Sequence, residues 1–167
     1  MKEFKGYNLI EKANILKDYN NENLLYLDGK LVLKEDKQEG YVESCEIATD
    51  EFDIACGSWA CVTPEGSSAE LLVKVCVDGN WSKYFSYGVW QLYKDNYYYD
   101  DADEIAHINV DEILVKNGKK ASAVQYKVVL RKEGKESPKL SLVCVTLRVQ
   151  SVNSLALMKP LKEIKDI

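Results

Sequence analysis

Alternation with a period of two is the feature that most limits this fold. In Ser68–Val77, Ala69, Leu71, Val73, Val75 and Val77 fall on one face, and Ser68, Glu70, Leu72, Lys74 and Cys76 on the other. In Ala123–Arg131, Val124, Tyr126, Val128 and Leu130 alternate with Gln125, Lys127, Val129 and Arg131. Successive side chains of a strand point to opposite faces, so each run predicts a strand buried on one side. Leu140–Val149 is apolar on nearly both faces, as a central strand requires. Shorter candidates are Leu24–Leu27, Lys30–Leu33, Tyr41–Ile47 and Ile113–Val115. Asp28-Gly29, Asp78-Gly79, Asn117-Gly118 and Glu133-Gly134 separate them, and Pro64 and Gly66 mark a further loop. Asp78-Gly79 is expected to join Ser68–Val77 to Trp81–Ser86 as a hairpin. Leu9–Asp18, with Asn8 as its cap, is the one expected helix. Many short strands with little helix predict an all-β, jelly-roll-like antiparallel β-sandwich.

With 167 residues, 46% of them hydrophobic and 29% charged, the chain is long enough for one domain with a real core. The expected layout is an N-terminal extension at 1–23, the sandwich at 24–150 and a linker at 151–167, where alternation gives way to SVNSLALMKPLKEIKDI. A net charge of −5 gives nothing to attract a phosphate backbone, so no nucleic-acid partner is expected. No apolar run reaches the ~18 residues of a membrane span. The first twenty residues lack the apolar core of a secretory signal, and five cysteines are an odd count. Both point to free thiols in a reducing, cytoplasmic setting; a chain trimmed of its leader would instead be extracellular.

Catalytic signals are sparse. His107 is the single histidine and reads as an ordinary surface or core residue. There is no Gly-x-Ser-x-Gly elbow and no phosphate-cradling glycine loop. Cys56 and Cys61 have no second Cys/His pair at zinc-finger spacing, so the cysteines read as inert, buried thiols and no metal or cofactor is expected. The acidic cluster Asp100, Asp101, Asp103 and Glu104 lacks calcium-loop order and reads as a solvated loop. A sandwich-fold glycosidase or lyase would have to draw on Asp100, Asp101 and Asp111.

Aromatic residues carry the stronger signal. Between Trp81 and Tyr99, nineteen residues hold nine of the chain's seventeen aromatics. Strand alternation places Trp81, Phe85 and Tyr87 on one face and Ser82, Tyr84 and Ser86 on the other, unless a bulge shifts the register. One set is expected in the core. The other would offer flat, partly apolar rings to a sugar or a neighbouring domain. The candidate ligand-binding residues are Trp81, Tyr84, Trp90, Tyr97, Tyr98 and Tyr99.

Several motifs fall in order: Ser58-Trp59, Thr63-Pro64-Glu65-Gly66, Gly79-Asn80-Trp81-Ser82-Lys83 and Gly88-Val89-Trp90, then INVDEILV (Ile108–Val115) and the two strands within Ala121–Leu147. The pattern, over about Leu24–Leu147, resembles the non-catalytic β-sandwich that precedes the papain-like domain of bacteriocin-processing cysteine peptidases (cysteine peptidase family 39 and relatives). Asn109 stands where that pattern carries Asp, while Asp111 is kept. The resemblance implies a papain-like catalytic domain as the neighbouring partner, carrying the Cys, His and Asp, and no catalytic residue in this chain. The function expected is therefore a non-catalytic accessory or binding module, with cell-wall glycan as the ligand of its aromatic surface. The alternative is a purely structural domain whose aromatic face packs on the catalytic domain.

Overall fold

The computed structural model describes residues 1–92, 94–95 and 100–150. In chain order its elements are β1 (Lys2–Glu3), β2 (Asn8–Lys12), α1 (Ala13–Leu16), β3 (Asn20–Glu22), β4 (Leu24–Leu27), β5 (Lys30–Leu33), β6 (Glu39–Glu43), β7 (Ile47–Phe52) and β8 (Ile54–Val62). Next come β9 (Ser67–Val77), β10 (Asn80–Trp81), β11 (Phe85–Trp90), β12 (Asp101–Ala102), β13 (Ala106–Asn109), β14 (Glu112–Val115), β15 (Ala121–Lys132) and β16 (Lys139–Arg148).

Two sheets form a β-sandwich, as the alternation predicts. In the first, β15 pairs with β9 on one side and with β6 and β7 on the other. β10 and β11 extend β9, β3 extends β6, and β1 joins β7 in a parallel pair. In the second, β16 pairs with β8 on one side and with β2 and β5 on the other; β4 lies beyond β5, and β14, β13 and β12 lie beyond β8. The predicted inner face of β9 (Ala69, Leu71, Val73, Val75, Val77) and that of β15 (Val124, Tyr126, Val128, Leu130) are buried. They join one apolar core with Leu140, Val143, Val145 and Leu147 of β16. Each fully buried aliphatic side chain contributes about 1.5–3 kcal/mol relative to exposure.

Three expectations are corrected. Leu9–Asp18 is not a helix. Leu9 and Glu11 turn inward at alternate positions of β2, which occupies the bare edge of β16 at Leu142–Thr146; only Ala13–Leu16 is helical. Residues 41–47 are not one strand. Ser44 breaks the run, its N–H donating to the Tyr126 carbonyl at 2.9 Å while its Oγ accepts from the Tyr126 N–H at 3.0 Å. The hairpin after Asp78-Gly79 is also interrupted. Ser82 Oγ accepts the Val75 N–H at 3.0 Å in place of a backbone carbonyl, which ends β10 and resets the register. Trp81 therefore lies opposite Cys76, whereas Phe85 lies opposite Val73. Those two β9 residues face opposite ways, so Trp81 is outside and Phe85 is in the core.

Residues before Leu24 add strands to both sheets, and Leu9, Ala13 and Leu16 are core residues. A polar knot locks them in. Glu11, only 3% exposed, pairs with Lys2 and accepts hydrogen bonds from the hydroxyls of Tyr19 (2.9 Å) and Tyr126. Glu11 is in one sheet and Tyr126 in the other, so the knot spans the sandwich. A buried carboxylate is tolerable only when satisfied in this way.

Burial, reinforced by Glu11, holds the Tyr19 and Tyr126 phenols above their ordinary range, and burial, with smaller contributions from Cys56, Asp111 and Glu112, does the same for Tyr87. A raised folded-state value contributes stability that is fully present below the unfolded value of about 10 and is lost as pH rises above it. The protein is expected to unfold cooperatively above about pH 10, with the tyrosinate absorbance of the buried Tyr19, Tyr87 and Tyr126 appearing together with loss of the β-sheet circular dichroism. Ionisation of these three phenols in a still-folded chain would contradict this.

Candidate functional site

The structure divides the predicted aromatic residues between two places. Trp81 and Tyr84 lie on the outer face of the first sheet. Lys74 of β9 places its ammonium 4.9 Å from the Trp81 ring centroid and 5.1 Å from that of Tyr84. The Tyr84 hydroxyl donates to Glu43 at 3.0 Å, and burial together with that carboxylate raises its pKa. A similar contact lies further across the face, with Lys127 at 4.0 Å from the Tyr41 ring. Each ring–cation pair contributes about 0.5–1 kcal/mol at an exposed site. These rings are therefore already engaged, and the ring faces turned toward the lysines carry a cation instead of an open stacking surface. Tyr97, Tyr98 and Tyr99 lie outside the described residues.

Trp90 is elsewhere. A bulge between Ser86 and Val89, with Gly88 at a φ of 95°, brings Trp90 opposite Ala69 at the rim of the sandwich, where it is 41% exposed. It faces a groove of about 600 Å³ lined by Gly57, Ser58, Trp59, Ala60, Cys61, Val62 and Ser141. Trp59, opposite Val143, packs partly on the core and partly into the groove. Gly57 sets how closely the two sheets approach here. A Cβ at this position would lie 2.5 Å from the Tyr87 ring and 2.8 Å from Leu71. The Tyr87 hydroxyl then donates to the Ala55 carbonyl at 2.6 Å, fixing the edge of one sheet to the other. Sequence reasoning missed Trp59 as a site residue. Its signal was the uncharged alternating run Ile54–Val62, whose outward residues Ser58, Ala60 and Val62 are all exposed.

The groove exists because β8 outruns its neighbour. β14 pairs only with Ile54–Cys56, and the β13–β14 turn, Val110-Asp111, comes abreast of that point. Val110 has a φ of 56°, a region that a β-branched residue seldom adopts. The last described residues lie at the same end of β8. The Gln150 N–H donates to Asp53 Oδ1 at 2.7 Å, and the Asp53 N–H to the Arg148 carbonyl at 3.1 Å.

The remaining candidates lie away from this groove or lack the chemistry of a catalytic centre. Burial raises the thiols of Cys56 and Cys76 and pushes Cys61 up to about 12, the reverse of what a nucleophilic cysteine needs. Asp103 accepts the N–H groups of Lys83 (2.8 Å), Ile105 (2.8 Å) and Ala106 (2.9 Å), so it organises its own loop. Asp101 pairs with Lys83. His107, Asp100 and Asp101 line a shallow hollow with Asn109 and Lys116, and Asp111 is exposed in the β13–β14 turn. Among the described residues, no group of three or more His, Cys, Asp or Glu side chains could hold a metal ion.

Residues 34–147 match the family model described as the Peptidase C39 N-terminal domain. The chain belongs to this family. It is an N-terminal domain of C39-type peptidases, as its motifs suggested. A search of curated proteins finds no match. Among the described residues, no helix is long and apolar enough to cross a membrane.

The strained turn beside the groove gives a direct test. Val110→Gly is expected to stabilise the domain by about 1 kcal/mol in urea unfolding, because glycine adopts a positive φ without the Cβ clash. An unchanged or lower midpoint would mean that Val110 is held there by contacts worth more than the strain.

Proposed function

We propose that this domain is a non-catalytic accessory module that packs against the adjacent papain-like catalytic domain and positions it, using the groove between Trp59 and Trp90. The observation that carries this reading is the groove itself: two tryptophans beside an uncharged strand, at the rim of the sandwich. The exit of the chain at Gln150, beside the start of β8, supports it, since a domain joined through the expected linker at 151–167 is delivered to that end of the groove. Aromatic anchors in an uncharged depression are the usual centre of a protein contact. The raised thiols and scattered carboxylates support a chain without catalysis of its own.

Cell-wall glycan recognition through Trp81, Tyr84 and the tyrosines at 97–99 has less support, because Lys74 already lies against the first two rings.

Tryptophan fluorescence distinguishes the two. Titrating the chain with its separately produced catalytic domain is expected to give a saturable change. Trp59→Ala or Trp90→Ala should weaken it at least ~10-fold, while Trp81→Ala leaves it intact. A saturable response to soluble peptidoglycan fragments, abolished by Trp81→Ala in a folded chain, would replace this reading with the glycan one.

A further inference from the structure

The same groove has a backbone that side-chain packing alone leaves unused. β14 covers only the first three residues of β8, so among the described residues no strand pairs with Gly57–Val62 along that side. Strand alternation identifies the peptides that face this bare side. The Leu147 N–H donates to the Tyr7 carbonyl at 2.7 Å, so odd-numbered residues of β16 face β2 and even-numbered ones face β8; with Leu147 opposite Ala55, the even-numbered residues of β8 direct their backbone groups toward β16 and the odd-numbered ones, from Ala55 on, toward β14. Gly57, Trp59 and Cys61 continue the odd row past the end of β14. Among the described residues, no backbone bond outside the ladders meets them.

Exposed edges of this kind template further pairing, and proteins normally guard them with charge, proline, bulges or short length. The other sheet's outer strand β11 is bulged at Gly88, and β1, β3, β4 and β12 have two to four residues each. Gly57–Val62 has none of these guards. It reads Gly-Ser-Trp-Ala-Cys-Val, with Pro64 falling beyond it.

We propose that this edge receives an extended strand from the catalytic domain, which continues the second sheet past the tip of the β13–β14 hairpin. The inference rests on the reading that the groove is where that domain docks. The incoming strand would meet three N–H and three C=O groups, those of Gly57, Trp59 and Cys61. It would place apolar side chains between Trp59 and Trp90 and no charge opposite this uncharged edge. Main-chain bonds would supply affinity and the flanking rings would supply register, the usual division of labour in strand addition.

The test is residue-resolved hydrogen exchange on this chain alone and on the whole protein with its catalytic domain. The amides of Gly57, Trp59 and Cys61 are expected to exchange at least ~100-fold more slowly in the whole protein. Those of Ser58, Ala60 and Val62, which face β16, should be protected in both. If the groove tryptophans become buried while the three edge amides exchange as in the isolated chain, strand addition is wrong but the docking reading survives. If neither changes, both fail. Protection already present in the isolated chain also overturns the proposal, and concentration dependence would then identify a second copy as the occupant. As a second check, Cys61→Pro in the whole protein removes one edge N–H without touching the β16 ladder. It should release Gly57 and Trp59, whereas Cys61→Ser should not; continued protection in the folded proline variant would overturn the proposal.

Discussion

Two long ladders govern this molecule. β15 pairs with β9 over ten residues from Ala123 to Lys132, and β16 pairs with β8 along the whole of β8. Their inner faces supply most of the core, and nearly everything else is an addition to an edge of one ladder. The edges are filled unequally. β2, β5 and β14 each cover part of β16 or β8, and where β14 stops the sandwich has an open rim. The candidate site is thus a consequence of strand-length mismatch, not of an inserted loop or a dedicated cavity.

Gly57 shows how the rim is held open without losing order. The absence of a side chain lets Tyr87 close over β8 and bond to Ala55, so the two sheets meet tightly just below the groove. Trp59 and Trp90 are then presented from rigid strands, which gives a binding surface the geometric definition that mobile loops lack. On the opposite, outer face, Lys74 and Lys127 lie against Trp81, Tyr84 and Tyr41 and blunt what would otherwise be an aromatic patch.

The fold class was readable because alternation is a local property that burial enforces. Ala69 to Val77 and Val124 to Leu130 fall inside as their spacing requires. What escaped were features set by partners distant in sequence. The apolar spacing of Leu9–Asp18 fits a helix as well as a strand, and only the vacant edge of β16 decides for β2. Trp81 and Phe85 share a parity, yet a single serine hydroxyl at Ser82 replaces a ladder carbonyl and sends them to opposite faces. Trp90 was named among the candidate rings, but its meeting with Trp59 in one groove depends on where β14 ends, which no local pattern records.

The knot around Glu11 also bears on the order in which the chain can be assembled. Lys2 and Glu11 are synthesised well before their partner Tyr126 and the strand that receives β2, Leu142–Thr146, which come near the end of the described residues. The N-terminal segment must therefore wait, unpaired, until almost the whole domain has left the ribosome. Contacts of such long range make closure a late and slow event, and during synthesis a chaperone would meet this segment as a bare strand carrying an unmatched carboxylate.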